Sequence, residues 1–130
     1  APIVNLALDR IIAIDFDFKS AFIDEDFDAE KFYKSVIGVT VNKGLQPRKI
    51  ELWIDRTNAP YVITKPLHNS QRLIKTNEDG SIIIHLMLID NYEMERLLLG
   101  FGDGLEVMQP ERLRQRIKSI LQKGLLRYGE

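Results

Sequence analysis

Between residues 48 and 108 the apolar positions of this chain change period repeatedly, and each change predicts an element. From Lys49 to Asp55 the pattern alternates, with Ile50, Leu52 and Ile54 on one side and Trp53 on the other, which is the period of a strand. Asn58 to Lys65 fits a short helix. Pro60 sits in its first turn, where a missing N–H costs nothing, and Pro66 discourages its continuation. Gln71 to Thr76 reads as a second strand. Asn77-Glu78-Asp79-Gly80 reads as a hairpin turn, its Asp-Gly pair supplying a residue that accepts positive φ. Ser81 to Ile89 is apolar on both faces, which predicts a central strand covered on both sides. Asp90-Asn91-Tyr92-Glu93 has capping-box spacing, and a helix from there through Leu99 stops at Gly100. Leu105 to Met108 forms a short fourth strand, and Pro110 opens a final helix reaching Tyr128. The order is β-α-β-β-α-β with an added C-terminal helix, an α+β, ferredoxin-like arrangement over residues 47–130.

Ahead of this domain the pattern is less regular. Leu6, Leu8, Arg10, Ile12, Ile14 and Phe16 share one row at period two, which predicts a lone N-terminal strand with no following turn to bring it a partner. Residues 21–46 read as an acidic linker, with Asp28 capping a short helix from Ala29 to Ile37. Phe32, Tyr33 and Val36 are its inward positions, and Gly38 ends it. The acidic run over 17–30 reads as a solvated linker rather than a cation site, because a calcium loop needs regularly spaced oxygens around a central glycine.

Composition narrows the chemistry. The chain has 130 residues, 45% of them hydrophobic and 28% charged, with a net charge of −1, so no global basic signal points to nucleic acid. No cysteine is present, which excludes disulfides and thiolate metal sites and fits a reducing, cytoplasmic setting. No apolar run reaches the roughly 18 residues of a membrane helix. The two histidines, His68 and His85, have neither H-x-x-x-H nor H-x-H spacing. His85 reads as a strand residue. His68 follows a helix C-terminus, where an imidazole can bond the last carbonyls. Gly100-Phe101-Gly102-Asp103-Gly104 follows a helix and enters a strand, the reverse of a phosphate loop, so its glycines serve a cap and a turn. Neither an enzyme activity nor a metal or cofactor is expected.

The last helix offers a candidate binding surface. Leu113, Ile117, Ile120, Leu121, Gly124 and Tyr128 form one apolar stripe. Arg112, Arg116, Lys123 and Arg127 form a basic ridge along one flank, with Arg114 and Lys118 on the other. Such a ridge is either a solvated face whose aliphatic stems cover the core edge or a surface for phosphates or an acidic partner. The acidic 17–30 segment, from the same chain or a dimer mate, is one such partner.

Several ordered stretches resemble the C-terminal region of bacterial WYL-domain transcriptional regulators. Leu6-Ala7-Leu8-Asp9-Arg10-Ile11 resembles the last strand of a WYL domain. Asp26-Phe27-Asp28-Ala29-Glu30 and Phe32 to Gly38 resemble the linker helix that follows it. Pro66-Leu67-His68-Asn69-Ser70-Gln71 resembles the family's proline-leucine-histidine-x-serine-glutamine signature. Glu106-Val107-Met108-Gln109-Pro110 and Leu113-Arg114 resemble its ending. The Trp-Tyr-Leu tripeptide itself is absent, since Trp53 is followed by Ile54. The earlier strands of the Sm-like WYL barrel and the DNA-binding winged helix do not occur in this sequence. The resemblance therefore implies a piece of a longer protein: residues 1–20 as a WYL remnant, 21–46 as linker, and 47–130 as the extension domain.

The resemblance further implies a regulatory, ligand-sensing or dimerising region, expected as a homodimer, with DNA bound only through a domain not in this sequence. A nucleotide or single-stranded nucleic acid is the effector it suggests. Arg10 is the residue to which ligand-contact character carries over, with His68 and Gln71 as further candidates. Two other classes stand beside it: a stand-alone ferredoxin-like small-molecule-binding module, and an enzyme using the cleft near His68 and Gln71. The unpaired strand over 6–16 is expected to pair with another chain or fold back on the domain.

Overall fold

A computed structural model describes residues 4–17, 19, 27–38, 40–41 and 44–129. After a short helix α1 (Ala29–Tyr33) come β1 (Arg48–Ile54), α2 (Ala59–Thr64), β2 (Arg72–Thr76), β3 (Ile82–Leu88), α3 (Tyr92–Leu99), β4 (Leu105–Gln109) and α4 (Glu111–Arg127). The four strands form one sheet in the order β2-β3-β1-β4, with every neighbouring pair antiparallel. This is the expected α+β, ferredoxin-like topology, with the C-terminal helix packed on the sheet beside β4. The hairpin between β2 and β3 closes as the sequence predicts: Gly80 takes a φ of 89°, and Gly80 N donates to Asn77 O at 3.0 Å.

The core lies on one face of the sheet. Ile50, Leu52 and Ile54 of β1, Ile82, Ile84, Leu86 and Leu88 of β3, and Val107 of β4 point into it. Ala59 and Val62 of α2, Met94 and Leu98 of α3, and Leu113 and Ile117 of α4 complete the same cluster. Each large aliphatic side chain buried this way stabilises the fold by about 1.5–3 kcal/mol relative to leaving it in water.

Four expectations change. β3 is central, but it is covered on one side only. Its even positions are buried, whereas Ile83 and His85 are half-buried and Met87 is exposed. The buried residues of α2, α3 and α4 all join the one cluster, so the apolar side chains on the other side of β3 become surface.

The cap of α3 is Asn91 rather than Asp90. Its Oδ1 accepts from Met94 N at 2.8 Å. Glu93 then falls one position too early to close a capping box. Its carboxylate instead accepts from Thr40 N and Thr40 Oγ1, at 3.1 and 2.9 Å.

The linker helix is shorter than the expected span to Ile37. Asp28 caps it, accepting from Glu30 N and Lys31 N, but helix α1 ends at Tyr33. The following segment bonds to the domain instead: Ile89 N donates to Ser35 O at 2.8 Å, and Asn91 Nδ2 donates to Ile37 O and Thr40 O. The inward positions hold, with Val36 buried and Phe32 and Tyr33 half-buried.

Residues 6–16 form no strand. Leu8–Arg10 makes a 3-10 turn, with Arg10 N donating to Ala7 O and Ile11 N to Leu8 O. Alternation makes a strand only when one row is buried and a neighbour completes the ladder. Here the row is open, and Ile12 is fully exposed. Most of the acidic run over 17–30, including Asp24, Glu25 and Asp26, lies outside the described residues, and so does any contact it makes with the basic ridge.

Candidate functional site

The Pro66 to Gln71 stretch forms the junction between α2 and β2. Pro66 stops the helix, and its last turn is closed by Gln71: Nε2 donates to Val62 O at 2.9 Å, while Oε1 accepts from Leu67 N at 2.8 Å. His68 does not reach the helix carbonyls. Its Nδ1 accepts from Ser70 N at 3.1 Å and lies 2.8 Å from Ser70 Oγ. Ser70 Oγ in turn accepts from Met87 N at 2.9 Å and donates to Met87 O, so the junction is laced to β3. Both hydrogen-bonding ends of the Gln71 amide are thus engaged with backbone.

His68 also lines a wide groove, about 950 Å³ in volume, between this junction and α1, where Asp28, Lys31 and Tyr33 face Ser70 and Met87. Gln71 does not line it. Arg10, the third candidate ligand contact, is exposed on its 3-10 turn and makes no ion pair among the described residues. The structure therefore places His68 and Gln71 in one junction, while Arg10 is exposed and does not line the groove.

The basic ridge on α4 divides in two. Arg112 and Arg116, in its first two turns, line a groove against α3, where Arg116 Nε meets Glu95 at 3.2 Å. Lys123 and Arg127 lie on the exposed distal half, where the apolar stripe also leaves the core: Leu121, Leu125, Leu126 and Tyr128 are exposed. On the other flank Arg114 pairs with Glu106 and donates to Val107 O at 2.9 Å. The side-chain hydrogen bond and charge of Glu106 hold the Arg114 guanidinium above its ordinary pKa.

A surface the sequence did not single out lies on the sheet face opposite the core. Trp53 of β1 and Ile83 and Met87 of β3 form an apolar strip there, with Trp53 directly opposite Ile83. Around it stand Lys49 opposite Met87, Arg72 opposite His85, and Lys75 opposite Ile83. His85 Nε2 lies 2.7 Å from the Glu51 carboxylate across the same face. The signal was present in the period-two arrangement of Ile83, His85 and Met87. It was hidden because a strand apolar on both sides is indistinguishable in sequence from one buried on both sides.

Two carboxylates have shifted acidities. Ser81 donates from both its side chain and its backbone to Asp79, which lies below the usual carboxylate range. Asp90 lies above it, chiefly because its carboxyl is partly desolvated and secondarily because Glu95 is near; Arg112 and Arg116 oppose the shift.

Among the described residues, no helix is long and apolar enough to cross a membrane, and no cluster of His, Cys, Asp and Glu is placed to hold a metal ion. No curated protein matches this chain. Residues 46–125 match the WCX domain, the C-terminal extension found in WYL-domain transcriptional regulators. That match covers well over half of the chain and contains every strand of the sheet together with α2, α3 and nearly all of α4. The chain belongs to the WCX domain family.

Proposed function

We propose that this chain is the sensing and dimerising region of a DNA-binding transcriptional regulator, with DNA contact made by a winged-helix domain outside this sequence. In this reading residues 1–20 are the end of a WYL domain. The observation that carries it, beyond family membership, is the apolar strip of Trp53, Ile83 and Met87 on the sheet face away from the core. A half-exposed tryptophan beside an isoleucine and a methionine is an association surface: aromatic and Met side chains are enriched where protein interfaces form their centres.

The partner is a second copy of the chain. Lys49, Arg72 and Lys75 stand on this face, and Glu106 lies opposite Trp53 at its edge. A self-complementary face of mixed charge around an apolar centre suits a two-fold contact. Regulation then requires an effector that binds one arrangement of the dimer better than another, with a coupling of about 1–3 kcal/mol. A nucleotide or single-stranded nucleic acid remains the effector class the family resemblance suggests. Size-exclusion chromatography with light scattering over a dilution series tests the dimer: a mass twice that of the chain, falling on dilution, supports it, and a monomer mass throughout overturns it.

A further inference from the structure

We propose that the groove between the start of β1, the first turn of α3 and the first two turns of α4 binds a small organic acid through a single carboxylate on an apolar body. The groove has a volume of about 450 Å³, within the range of small-molecule sites. Three guanidinium groups line it, from Arg48, Arg112 and Arg116, against two carboxylates, Asp90 and Glu95. Arg116 is engaged by Glu95 at 3.2 Å, whereas Arg48 and Arg112 form no ion pair among the described residues. One positive charge is therefore left in excess, carried by groups whose planar forks match a carboxylate.

The two resident carboxylates set the charge of the ligand. A multiply charged anion would be pressed against Asp90 and Glu95, while a single carboxylate could pair with Arg48 or Arg112 without that repulsion. Between the charged groups the lining is apolar: Ile50, Leu88, Met94 and Leu113 form the floor, with Leu45 and Pro110 at the mouth. That lining accepts an alkyl or aryl body.

The position of the groove links it to the remainder of the chain. Asn91 lines it and also holds the linker through Ile37 O and Thr40 O, while Leu45 and Gln46 line the same groove. A bound acid would press on Asn91, one of the residues that fasten the linker to the domain. This rests on the sensing role proposed above only for its regulatory meaning; binding itself stands alone.

The test is isothermal titration of the whole 130-residue chain with hexanoate and with phenylacetate, using inorganic phosphate as charge without a body and hexanol as a body without charge. Saturable binding of a carboxylate probe, with neither control binding, supports the site. Arg112→Gln should weaken it about tenfold or more, and Lys118→Gln, exposed on the other flank of the same helix and outside the groove, should leave it unchanged. Circular dichroism melting of Arg112→Gln confirms that the variant is folded. No saturable binding of either acid, equal binding of the controls, or full affinity in Arg112→Gln overturns the proposal. None of the groove residues belongs to the Trp53, Ile83 and Met87 strip, so failure here leaves the dimer reading intact.

Discussion

Gln71 donates from Nε2 to Val62 O at 2.9 Å, so a side chain at the mouth of β2 closes the last turn of α2. Its Oε1 accepts from Leu67 N at 2.8 Å, so both ends of the amide are bonded to backbone. The junction that looks most like a polar site in sequence is thus held by its own backbone.

Gln71→Ala should therefore destabilise the fold by about 1–3 kcal/mol, because two partly buried backbone groups lose their partner. His68→Ala should cost less, about 0.5–1.5 kcal/mol, since the imidazole serves mainly Ser70. Urea unfolding of both variants decides the order. A larger loss at His68 would contradict this account of the junction.

Asp90 fixes the sign of one pH dependence. Its folded pKa is raised, so the folded state holds the proton more tightly than the unfolded state, and stability falls as pH rises from the ordinary carboxylate range through the folded pKa. Asp79 acts oppositely: its folded pKa is lowered, so its contribution is present above the unfolded value and is lost as pH falls through the folded one. Asp90→Asn should remove the first contribution and be relatively more stable at about pH 7 than at about pH 4 when compared with the native chain. Urea midpoints of both proteins at the two pH values measure this, and an unchanged difference between them would contradict it.

Two glycines should respond in opposite directions to alanine. A Cβ at Gly104 would lie 2.3 Å from Asn58 Nδ2 and 3.1 Å from Asp55 Oδ2. Asp55 Oδ1 accepts from Asn58 N and Nδ2 at the entry to α2, so Gly104→Ala should disrupt that turn and cost about 1–3 kcal/mol. Gly124 lies within α4 with open space where its Cβ would be, and Gly124→Ala should stabilise by about 0.5–1 kcal/mol. Thermal melts of the pair check both signs.

The sheet and its helices were legible because their periods are unambiguous. Ile50, Leu52 and Ile54 alternate, Pro60 and Pro66 bracket α2, and Asp79-Gly80 marks the hairpin. What the pattern could not supply was the environment of each row. The alternation over 6–16 has the signature of a strand, but the described structure gives it no ladder partner, and local sequence cannot report one. Glu93 looked like half of a capping box, yet a contact 53 residues away, with Thr40, takes its carboxylate. In the candidate site, the His68 and Gln71 junction was readable as architecture, whereas Trp53 joined Ile83 and Met87 only once the register of β1 and β3 was known.

In the proposed dimer the open sheet face, rather than the His68 junction, is where this domain meets its partner. Sedimentation equilibrium of Trp53→Lys beside His68→Ala, each shown to be folded by circular dichroism, tests it most directly. Trp53→Lys should be a monomer and His68→Ala a dimer. A dimer that survives Trp53→Lys, or is lost only in His68→Ala, would contradict it.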